Sequence, residues 1–207
     1  LNFFGHAVVA GWTHRGPRFT FGAMLPDFAS MCRTRIAEVQ CEAIRNGVEF
    51  HHRTDAIFHA LPWFKLRNRR LSSRLRTRGL RRGPALGAAH VGIEIALDAV
   101  LVASGHGEQS FAPAMKVAAD STQWTLRDAS ATTRFQKLVG RIANAPEHAS
   151  VEVITRRVDR TLARRPLLEL QGQEPTLLAD ALVDELAEIR ESYPDLLSAL
   201  RTRLVSD

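Results

Sequence analysis

LADALVDELAEIRE, residues 178–191, decides the fold class: Leu178, Ala181, Leu182, Leu186 and Ile189 recur at helical spacing. Asp180, Asp184, Glu185, Glu188 and Glu191 fall mostly on the other side. That is the pattern of an amphipathic helix lying on a core. The same spacing predicts helices over 36–50, 84–103, 132–143 and 151–162, and Pro194 is expected to open a last short helix ending near Leu204. Breaks are expected at Gly16-Pro17, at 79–84, at 104–107, at Ala145-Pro146 and at 172–175. No run of alternating β-branched and aromatic residues and no internal repeat is visible. The expected architecture is all-α, a single-domain helical bundle of about eight to ten helices over residues 1–207.

Composition limits the classes further. The chain has 207 residues and 45% hydrophobic residues, enough for a substantial core, with no bias of a disordered or fibrous kind. Its two cysteines, Cys32 and Cys41, are too few for a disulfide scaffold and wrongly spaced for a zinc knuckle, which points to a reducing, cytoplasmic compartment. The opening LNFFGHAVVAGW lacks a basic start and a small-residue cleavage site, so no signal peptide is expected. The apolar stretch 91–103 contains Glu94 and Asp98 and is too short to span a bilayer, so no membrane segment is expected either.

The net charge of +6 is local. Residues 65–82 hold nine basic groups and no acidic one, while the rest of the chain has 19 basic against 22 acidic groups. Leu66, Leu71, Leu75 and Leu80 suggest that this segment is an amphipathic helix with one buried side. A solvated basic face is one reading. The other is a docking strip carried by Arg67, Arg70, Arg74, Arg78 and Arg81 that steers an acidic partner. Nucleic acid is disfavoured, because aromatic residues are nearly absent after Phe64 and no nucleic-acid-binding signature accompanies the charge.

Several ligand-type side chains stand on otherwise apolar segments. His6 lies in the first helix, Asp27 follows Pro26 in FGAMLPDFASM, His51 and Asp55 are four apart in GVEFHHRTDAIF, and His90 and Glu94 are four apart in AAHVGIEIAL. Residues at i and i+4 project from one helix face, so each pair can share an ion or a water. Any one pair is explained equally by a hydrogen-bonded staple between helices. Four such segments together point to a divalent ion of the Mn²⁺ or Mg²⁺ type, since buried carboxylates need a partner and no cysteine stands nearby.

The order NFFGHAVVA, GAMLPDF, GVEFHHRTDAIFHALPWF and RGPALGAAHVGIEIALDAVL resembles the acyl carrier protein phosphodiesterase family, a divergent branch of the HD-domain metal-dependent phosphohydrolases. The likeness covers about the first 100 residues and implies an HD-domain-like helical fold. It implies His6, Asp27, His51 and Asp55 as metal ligands, with His90 and Glu94 standing where the family has two aspartates. Ile95 replaces the family's following histidine and Ala23 the asparagine of its GNxxxDF segment, which leaves His52 and His59 as candidate proton donors. The implied reaction is removal of 4′-phosphopantetheine from holo-acyl carrier protein, an acidic partner, with Mn²⁺ as the usual metal and Mg²⁺ as the alternative. Two other readings remain open: a phosphohydrolase acting on a nucleotide or small phosphoester, and a non-catalytic basic helical binding protein.

Overall fold

A computed structural model describes residues 1–143, 150–163 and 165–206; the expected break at Ala145-Pro146 lies outside them. Among the described residues nine α-helices carry the fold, so the all-α expectation holds. Contacts divide the chain into two compact units, one of Leu1–Ala56 and Leu101–Glu147, the other of Ile57–Val100 and His148–Asp207.

The first unit contains α1 (Phe3–Gly11), α2 (Pro17–Met31), most of α3 (Glu42–Ala60), α6 (Glu108–Ala118) and α7 (Ala129–Ala143). Its core is aromatic: Phe3 meets Phe28, Phe28 meets Phe135, and Phe135 meets Trp124 at ring-centroid distances of 5.3, 6.0 and 4.5 Å. Two short strands, β1 (Ile36–Val39) and β2 (Trp124–Leu126), pair antiparallel with an irregularity between Ile36 and Glu38. The expected helix over 36–50 is therefore corrected. Its first residues pair with β2, where Trp124 is buried, and the helix starts only at Glu42. Four residues carry too little periodicity to distinguish a strand from a helix start.

Two glycines set the approach of α2 to α3. A Cβ on Gly22 would collide with the Ile44 carbonyl, and one on Gly47 with the Phe19 carbonyl. Only glycine permits backbones that close, and the consequence is that His51, one turn beyond Gly47, reaches the backbone of α2. Gly107, at φ 80°, opens α6; a Cβ there would also lie 2.9 Å from Val8 Cγ2, so both conformation and space require glycine.

The second unit contains α4 (Pro62–Thr77), most of α5 (Arg82–Ala103), α8 (Val151–Leu162) and α9 (Glu174–Ser206). The apolar stripe of α9 is buried at Leu178, Ala181, Leu182, Leu186 and Ile189, as its spacing predicts. Glu185 departs from expectation: it is fully buried, not on the solvent side. Pro194 does not start a new helix, because α9 runs through it. A proline inside a helix costs about 3 kcal/mol. Here Leu196 and Leu200 continue the buried stripe in phase, and Pro194 and Arg190 lie on the exposed side, where water can satisfy the Arg190 carbonyl.

In α4, Leu71 and Leu75 are fully buried, and Leu80, beyond the end of the helix at Thr77, nearly so; Leu66 is exposed, so the predicted leucine face begins at Leu71 and outruns the helix. Helix α5 is long and apolar enough to cross a membrane by length and composition, and 67% of its most apolar stretch is buried within the protein. Its apolarity thus serves packing: Gly92 lets Leu182, Val158 and Leu71 close on it. Cys32 and Cys41 are both free thiols.

Candidate metal centres

The six predicted ligands do not form one group. Ligand atoms of His6, Asp27 and His51 lie within 4.8 Å of one another in the first unit, and those of His59, His90 and Glu94 do so in the second. Asp55 belongs with the first group: its Oδ1 is 3.2 Å from His6 Nε2 and its Oδ2 is 3.9 Å from His51 Nε2. His59, expected as a proton donor, is the third member of the second group.

Three helices build the first group. His6 comes from α1, Asp27 from the inside of α2, and His51 and Asp55 from one face of α3. The imidazoles of His6 and His51 stack with centroids 3.9 Å apart, and both residues are buried. His51 Nδ1 is 2.9 Å from the Ala23 carbonyl oxygen. A carbonyl only accepts, so Nδ1 carries the proton and Nε2 keeps a lone pair. Pro26 has no N–H for the Gly22 carbonyl, which neighbours the Ala23 carbonyl that accepts from His51.

His6 is oriented in the same manner. Its Nδ1 is 3.1 Å from Thr54 Oγ1, whose own proton is directed to the Phe50 or His51 carbonyl, each 2.9 Å away. Thr54 therefore accepts from His6 Nδ1–H, and the lone pair of His6 is again on Nε2. Burial, reinforced by the neighbouring His51, lowers the pKa of His6 to about 3 against the opposing pull of Asp55. Burial lowers His51 as well. Burial alone would raise Asp55, but the charged Leu1 amine, 2.7 Å away, holds it well below the usual carboxylate range.

The result is two neutral imidazoles with lone pairs at Nε2, facing ionised carboxylate oxygen. Two lone pairs 3.2 Å apart, as at His6 Nε2 and Asp55 Oδ1, repel unless a cation lies between them. A mixed nitrogen and oxygen set of this kind suits a divalent ion of the Mn²⁺, Fe²⁺ or Zn²⁺ series, and the hydrogen-bonded Nδ1 atoms are the outer partners that metal-binding histidines require. The residues fit the metal that the sequence suggests. Asp55, 30% exposed, gives the group its access to solvent.

His52 is exposed, edge-on to His51 with centroids 5.3 Å apart. In the second group, His59 from α3 and His90 from α5 point Nε2 at the same oxygen of Glu94, at 2.9 and 3.3 Å. Burial alone would raise Glu94, but positive charge and the hydrogen bonds from His59 and His90 keep its carboxyl well below the normal range. Ile95 is buried.

The basic segment is largely tied down within its own unit. Arg67, expected on a docking face, is buried; it donates to Glu185 Oε1 at 2.9 Å, to the Glu188 carbonyl at 2.8 Å and to Ser192 Oγ at 2.6 Å, with its guanidinium 4.8 Å over the Trp63 ring. Arg74 donates to Glu188 at 3.2 Å, and Arg81 to Glu174 at 2.8 and 3.0 Å. Arg78 only approaches Asp184, at 4.0 Å, and Arg70 only approaches Glu188, at 4.0 Å. Arg67 is thus withdrawn from any partner, and Arg74 and Arg81 face α9, because the acidic side of α9 is also the side that packs on α4. The pairing between two helices distant in sequence carries no local signal.

No family model, curated protein or solved structure matches this chain.

Proposed function

We propose that the protein is a metal-dependent phosphoester hydrolase, with the phosphodiester of phosphopantetheinylated acyl carrier protein as its substrate. The observation that carries the reading is the convergence of His6 and His51, each with Nε2 turned inward by a partner on Nδ1, on Asp27 and Asp55. A divalent ion held by these four residues supplies Lewis acidity toward a phosphoryl oxygen and an activated water at neutral pH.

The chain's own residues do the rest. Asp55 sits where the group opens to solvent and orients incoming water, while the buried imidazoles, neutral by burial, bind without first losing a proton. Hydrolysis adds the water oxygen to phosphorus and breaks the bond to the carrier serine, whose oxygen takes a proton. His52, exposed beside His51, is the donor assigned to that step. The carrier as substrate rests on the resemblance of the first 100 residues. The pairing of Arg67, Arg74 and Arg81 with α9 favours the second reading, a nucleotide or other small phosphoester, because it removes positive charge from the face that would meet an acidic protein.

Incubation with holo-carrier protein and Mn²⁺ is expected to yield a carrier lighter by the phosphopantetheine mass, and Asp27→Ala to abolish the change. Turnover of a small-phosphoester panel with an unchanged carrier would select the second reading. No turnover of either with any divalent metal would sink the hydrolase.

A further inference from the structure

The second histidine and carboxylate group is not needed for the chemistry just described, and its residues are arranged as ligands in their own right. We infer that His59, His90 and Glu94 form an independent transition-metal site, with an ion of the Zn²⁺ class bound by two imidazole nitrogens and one carboxylate. The geometry is specific: His59 Nε2 and His90 Nε2 aim at one oxygen, Glu94 Oε1, from 2.9 and 3.3 Å, and ligand atoms of all three lie within 4.8 Å of one another. His90 and Glu94 stand one turn apart on α5, and His59 enters from α3.

The site is built, not incidental. The two imidazoles stack with centroids 5.0 Å apart, and the Phe64 ring packs edge-on against both, at 4.8 Å from His59 and 5.1 Å from His90. Phe64 is buried and itself held by Phe58, 4.7 Å away. The rotamers of both histidines are therefore fixed by a packed aromatic wall, which lowers the entropic cost of binding an ion. A carboxylate oxygen can accept from two imidazoles, and binding an ion here replaces those two protons. Two half-exposed imidazoles converging on one oxygen place three donors around a single point.

Donor chemistry selects the ion. Two nitrogens and one oxygen favour the later first-row divalent ions over Mg²⁺ or Ca²⁺, in the order that rises toward Cu²⁺ with Zn²⁺ close behind. Side-chain exposures of 32% for His59 and 44% for His90 leave coordination positions open to solvent. Three protein ligands with an open position are the arrangement of a site that can take up an anionic oxygen ligand such as inorganic phosphate.

The test is metal binding by the full chain, with no reliance on turnover. Equilibrium dialysis against Zn²⁺ alone is expected to show one bound ion fewer per chain in His90→Ala and in Glu94→Gln than in the wild type. His51→Ala is expected to retain this ion, so loss of the first group and loss of the second are read separately. In the wild type, Zn²⁺ is expected to protect His59 and His90 from diethyl pyrocarbonate, which keeps the test valid should a variant fail to fold. Unchanged Zn²⁺ stoichiometry in His90→Ala, or no Zn²⁺-dependent protection of His59 and His90, would overturn the proposal. A wild type binding one ion that His90→Ala abolishes would support it while removing the metal from the first group.

Discussion

His51 donates its Nδ1 proton to the carbonyl oxygen of Ala23 across 2.9 Å, and this single bond decides which nitrogen of His51 is available for a ligand. Thr54 does the same for His6. Partners of this kind, when removed, lower metal affinity by about 10–100-fold. Thr54→Val keeps the shape and removes the acceptor. We predict a fall in Mn²⁺ affinity of that order by calorimetry, with secondary structure retained. Equal affinity in the variant would show that Thr54 does not orient His6.

Gly47 determines whether His51 can reach Ala23 at all. A methyl group at Gly47 meets the Phe19 carbonyl, so Gly47→Ala must push α3 from α2. Overpacking of this type costs about 1–3 kcal/mol. A melting temperature lowered accordingly, together with weaker Mn²⁺ binding, is the expected outcome. Gly140, inside α7, has open space around the corresponding position, and Gly140→Ala is expected to leave Mn²⁺ binding unchanged and to raise the melting temperature slightly.

The protein without metal is expected to lose stability in mild acid. The pKa of His6 is lowered in the folded state to about 3 from an ordinary 6.5, chiefly by burial. Between these values the unfolded chain binds the extra proton, so stability is fully present above pH 6.5 and declines as pH falls toward 3. At 1.36 kcal/mol per pH unit, the loss between pH 7 and pH 5 is about 2 kcal/mol from His6 alone. Asp55, held low by its contacts, acts in the same direction at still lower pH. Denaturant midpoints at pH 5 and pH 7 check this, and a higher midpoint at pH 5 would contradict it.

Arg67 and Glu185 form a buried ion pair whose halves do not stand alone. Burial pushes the Glu185 carboxyl up, and Arg67, 2.9 Å away, opposes it. Arg67→Met is expected to cost about 3–5 kcal/mol by leaving a buried charge uncompensated. The double variant Arg67→Met with Glu185→Leu should recover most of that loss in chemical denaturation.

Charge reversal separates steering from structure along α4. Arg70, 60% exposed, and Arg76, exposed, are the positions to change; Arg70→Glu with Arg76→Glu is expected to raise KM for an acidic carrier, most at low salt, with stability unchanged. Arg74→Glu, which loses its bond to Glu188 and sets like charges side by side, should instead lower the melting temperature. Salt-independent kinetics in the exposed pair would argue for a small-molecule substrate.

The sequence by itself determined the helical class, the positions of several helices and the ligand-type residues His6, Asp27, His51, Asp55, His90 and Glu94. Apolar spacing along one helix is a local property, which is why the stripe from Leu178 to Ile189 and the bounds of α8 were legible, and why i, i+4 pairing singled out His51 with Asp55 and His90 with Glu94. Only the tertiary structure decided which ligands meet. Asp27 joins His6 and His51, while His59 joins His90 and Glu94, because helix packing through Gly22 and Gly47 and the aromatic wall of Phe64 brings together residues far apart in the chain. The same holds for charge. Residues 65–82 read as a free basic strip, yet Arg67, Arg74 and Arg81 are matched by carboxylates about a hundred positions away on α9, a pairing set by which faces pack and invisible to any local pattern.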